Sequence, residues 1–406
     1  MVKSDSIGVA LAGGGPLGAI YEIGALVALD EALAGLEPAD CDVYVGVSSG
    51  SFIAAGLANG MTPQAMYRMF IATEAADDPF EPDLLMRPAL AEYGRRLAAL
   101  PELFRAAARS YLAAPLSHGF FESFQRLTRA IPAGLFDNAG IGAYLTELFA
   151  APGRTNDFRK LRHKLFIVAT DLDSGEAVPF GTPGRDDVPI AEAVKASAAL
   201  PGLFPPVEIG GRHYVDGALI KTLHASVALK EGAKLMICVN PLVPFNADLA
   251  AQQGGGDTGL LVGGGLPVLL AQTFRSIIYS RMQVGMGRYE KEFPDADVVL
   301  FEPSRDDAEM FFANVFSYTD RERLSEHAYQ RTRAELRRRR DELEPVFARH
   351  GIAVDQGVLS DEGRRLAHCA GGGKDRRGRG LLRTADRLDE TLDRLEGLLA
   401  ASRQHA

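Results

Sequence analysis

Four short apolar runs constrain the fold of this 406-residue chain more than any other feature. They lie at 7–12, 41–45, 164–170 and 234–240. Each has the length of a strand and suits the centre of a sheet that is covered on both faces. Helical patterns lie between them. From 17 to 34, Ile20, Ile23, Leu26, Val27 and Leu33 share one face, and a second helical pattern spans 189–199. Strands alternating with helices predict an α/β fold with a mostly parallel sheet.

Two of the runs end in chemically pointed turns. The run at 41–45 leads into Gly46-Val47-Ser48-Ser49-Gly50, followed by a helical start at 51–58. A serine on a sharp strand-to-helix turn presents its hydroxyl above the sheet edge, and small neighbours let the backbone pass closely. That geometry suits a nucleophile; a plain turn is the bland alternative. The run at 7–12 leads into Gly13-Gly14-Gly15-Pro16-Leu17-Gly18. Glycines at a helix N-terminus leave backbone N–H groups unhindered, as needed for a phosphate or for the oxyanion of acyl transfer. The same residues satisfy a dinucleotide fingerprint, which calls for an acidic residue closing the second strand. Here the second strand runs into the serine instead, which argues against a nucleotide.

A serine needs a base. The eight histidines (118, 163, 213, 224, 327, 350, 368 and 405) include none in a glycine-flanked strand-end setting. Asp216 is the better candidate. It closes a hairpin-like turn and short strand, Gly210 to Val215, and is followed by Gly217 and Ala218, small residues that keep the carboxylate reachable. Aspartate is a weak base at its ordinary pKa near 3.9, and partial burial beside the serine would raise it.

The motifs Gly13-Gly14-Gly15-Pro16-Leu17-Gly18, Gly46-Val47-Ser48-Ser49-Gly50 and Asp216-Gly217-Ala218 occur in the order and at the spacing of the patatin-like phospholipases. The stretch 196–207 also resembles that family's block upstream of its aspartate. The resemblance covers residues 6–240. It implies a three-layer α/β/α sandwich and a Ser–Asp dyad lipid acyl hydrolase without metal, cofactor or catalytic histidine. Ser48 carries over as nucleophile and Asp216 as general base. The turn of Gly13, Gly14, Gly15 and Gly18 carries over as the oxyanion hole, with Gly46, Gly50, Gly217 and Ala218 as supporting motif positions. The family's glycine loop usually has Arg or Lys where this chain has Leu17, which weakens a cationic role there and raises the standing of a neutral acyl ester as substrate. Two other readings stay open: a Ser-His-Asp esterase using His213 or His224, and a silent lipid- or partner-binding module.

The rest of the chain is read from composition. Residues 77–150 form a helix-rich insertion dotted with Phe80, Phe104, Phe120, Phe121, Phe124 and Phe136, a candidate cap or else extra packing. A Gly-rich stretch at 248–266 is expected to be a mobile loop, followed by a helix from 267 to 292. A charged helix at 320–348 contains Arg331, Arg333 and Arg337 to Arg340. These are candidate contacts for anionic head groups, or else a salt-bridged face. After Gly371-Gly372-Gly373, Leu381, Ala385, Leu388, Leu392, Leu395 and Leu399 form a short heptad seam, suited to self-association or to packing on the chain's own domain. The expected division is a patatin-like domain at 1–300, a helical extension at 301–370 and a terminal amphipathic helix at 371–406. A net charge of −9 argues against nucleic acid. Cys41, Cys238 and Cys369 show no metal-ligand or disulfide spacing. No apolar run approaches a membrane span. The N-terminal run is broken by the glycine turn and reads as strand and loop instead of a signal peptide. A cytoplasmic protein with peripheral membrane contact and a lipid acyl ester substrate is the resulting expectation.

Overall fold

Residues 7–11 pair on both sides with parallel neighbours, and the sheet grows outward from them. The computed structural model describes residues 6–72, 133–252, 260–313 and 318–369, with a few positions between 87 and 105. Its strands are β1 (Ile7–Leu11), β2 (Leu33–Ala34), β3 (Val43–Val47), β4 (Lys164–Asp171), β5 (Ala177–Phe180), β6 (Val207–Ile209), β7 (Arg212–Asp216), β8 (Leu235–Val239), β9 (Asp297–Phe301) and β10 (Ala353–Val354). The main sheet runs β6-β7-β4-β3-β1-β8-β9, with β5 on β4. Pairing is parallel from β4 through β3, β1 and β8 to β9, and antiparallel for β5, β6 and β7.

Side-chain alternation assigns the two faces. Val9, Leu11, Tyr44, Leu165 and Ile167 enter one buried cluster, whereas Ala10, Ala12, Val43, Val45, Phe166 and Val168 enter another. Successive residues of a strand point to opposite faces, so both faces are covered and the sequence runs apolar without alternation. Helices lie on both sides of this mostly parallel sheet, giving the three-layer sandwich.

The first helix, α1 (Gly15–Ala32), is buried nearly all round. It packs between α2 (Ser49–Ala58) and α3 (Pro63–Phe70) on one side and a later helix, Tyr318–Arg338, on the other. A Cβ on Gly24 would lie 2.3 Å from the Ser325 carbonyl oxygen, so glycine permits this helix crossing. Leu324, Ala328, Tyr329, Leu336, Leu343 and Phe347 thus belong to the same core as Val9 and Leu11. Tyr329 and Arg364 both bond Glu31, at 2.6 and 2.9 Å, and β10 pairs with β2.

Several boundaries differ from the sequence expectation. The strand expected at 41–45 runs from Val43 to Val47, because Cys41 and Asp42 are used in turn contacts; Asp42 accepts from the Ile7 amide at 2.8 Å. The helix expected to end at 34 ends at Ala32, where Leu33 and Ala34 turn into β2. The single charged helix expected at 320–348 is two, Tyr318–Arg338 and Arg340–Arg349. Arg339 leaves the helical path, and its guanidinium bonds the Leu300 carbonyl at 2.8 Å. The glycine-rich stretch 248–266 is not a continuous loop. Asn246 accepts from the Asp248 and Leu249 amides and starts the helix Ala247–Gln252, and Leu260–Gly263 is also helical. The seam from Leu381 to Leu399 and most of the insertion lie outside the described residues. No helix among the described residues is long and apolar enough to cross a membrane.

Candidate active site

The elbow is built by close backbone approach. A Cβ on Gly50 would lie 2.4 Å from the Ala12 carbonyl oxygen, and one on Gly46 would lie 2.4 Å from Ser51 Cα. Glycine at both positions lets α2 start directly above the ends of β1 and β3. Between them Ser48 takes φ 52°, the sole non-glycine residue at positive φ among the described residues. A non-glycine residue in that region is strained and must be held by its surroundings. Three contacts do so. The Ser48 amide donates to Ser197 Oγ at 2.8 Å, and the Ser48 carbonyl accepts from the Ser51 amide and hydroxyl. Ser197 Oγ in turn donates to the Val168 carbonyl at 2.6 Å.

Asp216 reaches the elbow through strand register. β4 pairs with β3 as far as Val168 opposite Val47, and with β7 from Ala169 opposite Asp216. The other edge of β4 at Ala169 and Thr170 is occupied by β5. β7 therefore continues along the edge of β4 that β3 leaves, and Asp216 follows the position where the elbow turns away. Gly217 fits because a Cβ there would lie 2.1 Å from the Val168 carbonyl oxygen. The Ser48 hydroxyl donates to Asp216 Oδ2 at 2.6 Å, and the Ala218 amide donates to Oδ1 at 2.8 Å. Asp216 is 3% exposed, and burial pushes its carboxyl up to about 6 against the pull of those two hydrogen bonds. Both oxygens are thus occupied without a histidine between serine and carboxylate.

The glycine turn lies against the same serine. A Cβ on Gly13 would meet Ser48 Cβ at 2.9 Å and Ala218 Cβ at 3.2 Å, and one on Gly18 would meet Ser49 Oγ at 3.0 Å. Gly15 takes φ 61° and opens α1. The N-terminal turn of a helix offers unpaired N–H groups and a partial positive charge. Leu17 packs against the core. Gly14 and Gly15 share with Ser48 and Asp216 the wall of a cavity of about 450 Å³. The rest of that wall is almost wholly apolar. Ile20 and Ile23 come from α1, Phe52 from α2, and Ile141, Tyr144 and Leu145 from the helix Ala139–Ala150 at the end of the insertion. Ala271, Phe274 and Ile278 come from the helix Gly265–Glu292. Arg275 and Arg321 are the cations on the wall. Burial pushes Arg275 down to about 10, and its guanidinium sits 4.5 Å from the Phe311 ring centre.

Neither of the two histidines nearest in sequence to Asp216 bonds its carboxylate oxygens, which are held by Ser48 and Ala218. His213 is half exposed, with Nδ1 3.7 Å from Asp173. His224 is buried, and desolvation with nearby Lys221 pushes it down to about 4. The arginine run is largely committed to pairing. Arg339 pairs with Glu335 and Glu342, Arg340 with Glu344, and Arg331 with Asp307. Arg333 is buried, donating to the Val358 and Asp361 carbonyls. Ser197, Arg275 and Arg321 carry no local motif in the sequence. Ser197 does fall inside the 196–207 block, whose resemblance was its one available signal.

Among solved structures, VipD from Legionella pneumophila is similar at a TM-score of 0.32 and 17% identity, over 62% of this chain and 52% of that one. The type III effector protein ExoU is similar at a TM-score of 0.34 and 18% identity, over 83% of this chain and 53% of that one. The chain spans about half the length of each. The family model described as patatin-like phospholipase matches residues 9–229, more than half of the chain and inclusive of the glycine turn, the elbow and Asp216. The chain belongs to the patatin-like phospholipase family.

Proposed function

We propose that the protein is a serine lipid acyl hydrolase in which Ser48 and Asp216 act as a dyad. The hydrogen bond of 2.6 Å from Ser48 Oγ to Asp216 Oδ2, at the wall of an apolar cavity, carries this reading. Asp216 takes the hydroxyl proton as Ser48 Oγ attacks the ester carbonyl. The carbonyl π electrons move to oxygen, and backbone N–H groups of the Gly13-Gly14-Gly15 turn hold that oxyanion. A preorganised donor of this kind contributes about 2.7–4 kcal/mol to the transition state. The tetrahedral intermediate collapses, the alcohol leaves with the proton from Asp216, and an acyl-serine remains. Water, deprotonated by Asp216, then attacks the acyl carbon. The same proton returns to Ser48 Oγ as the fatty acid departs.

The raised carboxyl suits this cycle, because a base that titrates at about 6 binds a proton more readily than an ordinary aspartate yet is free above that pH. The apolar wall suits an acyl chain. The test uses a fluorophosphonate probe and a fatty-acid release assay on vesicle and monomeric esters. Wild-type protein is expected to label at Ser48 and to release fatty acid, and Ser48→Ala to do neither. Folded wild-type protein that does not label, or Ser48→Ala that still releases fatty acid, removes the proposal; absence of labelling favours a binding module.

A further inference from the structure

The helix Gly265–Glu292 carries a surface that the cavity does not use. Leu266, Ile277 and Val284 on it are 68%, 52% and 61% exposed, and Leu269 and Leu270 are close to half exposed. Their spacings of three, four and seven residues place them along one stripe of the helix. From Leu266 to Val284 that stripe is about 27 Å long at 1.5 Å per residue. Large apolar side chains held in water in such a row mark a contact surface.

Two further observations identify the contact. Phe274 is 48% exposed and also lines the cavity beside Ser48, as does Leu203 at 40%, so the apolar stripe continues into the cavity mouth. The helix also differs in charge from the whole. From Gly265 to Glu292 it contains Arg275, Arg281, Arg288 and Lys291 against Glu290 and Glu292, both in its last turn, a net positive helix in a chain of net charge −9. Arg281 and Arg288 fall on the same side as the apolar row, toward its C-terminal end. An apolar row bordered by arginine fits a helix lying in the head-group region, with its side chains in the acyl boundary and guanidiniums on lipid phosphates. A two-fold pairing of this face with itself brings like charges together, which disfavours a second copy as occupant.

We propose that this face docks the protein on an anionic lipid surface and sets the cavity mouth against it. The proposal rests on reading the cavity as the site of a lipid acyl hydrolase. Full-length wild-type protein and the triple variant Leu266→Glu, Ile277→Glu, Val284→Glu are sedimented with phosphatidylcholine vesicles, with and without about one-third phosphatidylserine. These three side chains are exposed and do not line the cavity. Circular dichroism and fluorophosphonate labelling report the fold and Ser48 separately. Wild type is expected to pellet with the anionic vesicles, more weakly as salt rises, and the triple variant to lose about a hundredfold in partitioning while keeping its fold. Arg281→Gln with Arg288→Gln is expected to weaken binding to anionic vesicles selectively. Wild type that ignores both vesicles, or a folded triple variant that still pellets, overturns docking. So does a wild-type dimer that the triple variant turns into a monomer. Failure of labelling in wild type counts against the dyad and leaves the vesicle result to be judged on its own.

Discussion

Replacing Asp216 by Asn should make the protein more stable at neutral and alkaline pH while removing its activity. The carboxyl is buried, and desolvation raises it from its ordinary 3.8 to about 6. Each tenfold change in a protonation equilibrium corresponds to about 1.4 kcal/mol, so this rise corresponds to about 3 kcal/mol. The direction follows from which form the fold prefers. Protonated Asp216 is favoured in the folded state, so its contribution is full below 3.8 and is lost as pH rises through about 6. Above that, the folded protein carries a buried carboxylate. Asparagine removes the charge and keeps the shape. Its Oδ1 still accepts from Ala218, and its amide donates to Ser48 Oγ with the direction of that bond reversed. One amide hydrogen is left without a partner at a cost of about 1 kcal/mol, so the net gain is about 2 kcal/mol. Urea unfolding of wild type and Asp216→Asn at about pH 8 and about pH 4 measures it, with the advantage present at the higher pH and shrinking at the lower. A variant less stable than wild type at the higher pH, or an advantage independent of pH, refutes the burial argument. Fatty-acid release should fall by about two to four orders of magnitude in the same variant.

Ser197→Ala leaves the Ser48 amide and the Val168 carbonyl without their shared hydroxyl, and is expected to cost about 2–4 kcal/mol in urea unfolding with kcat down on the order of tenfold; an unchanged kcat would show that Ser197 does not position the elbow. Arg275→Met, assayed on a phosphate-bearing and a neutral ester with the same acyl chain, is expected to lower the ratio of their kcat/KM values by about tenfold or more, and Arg275→Lys to restore part of it. An unchanged ratio would leave head-group reading to another group.

The parts of the site legible in the sequence are those whose chemistry is local. The elbow, the glycine turn and the Asp216 turn each declare themselves through small residues within a few positions, and the structure brings all three into contact. What escaped depends on distance along the chain. Ser197 is one small residue among several, and nothing near it in sequence points to Ser48, 149 residues away. The pattern predicts a helix from 267 to 292, and the helix Gly265–Glu292 is there, but an apolar side chain reads alike whether it lines a cavity, as Ile278 does, or faces solvent, as Ile277 does. The same ambiguity hid the burial of α1 on all sides. Its outer face is covered by Tyr318–Arg338, a crossing that Gly24 permits.

The way β3 and β7 succeed one another along β4 separates the precision of the Ser48–Asp216 contact from chain length. Ser48 and Asp216 are 168 residues apart, yet their meeting is decided by two adjacent residues of β4, Val168 paired with Val47 of β3 and Ala169 paired with Asp216 of β7. Segments emerging between those strands can lengthen or change composition without loosening the Ser48–Asp216 contact, because the pairing along β4 absorbs none of their variation. The fold can therefore alter what reaches the serine by rewriting its excursions, while the distance from Ser48 to Asp216 stays fixed by backbone pairing.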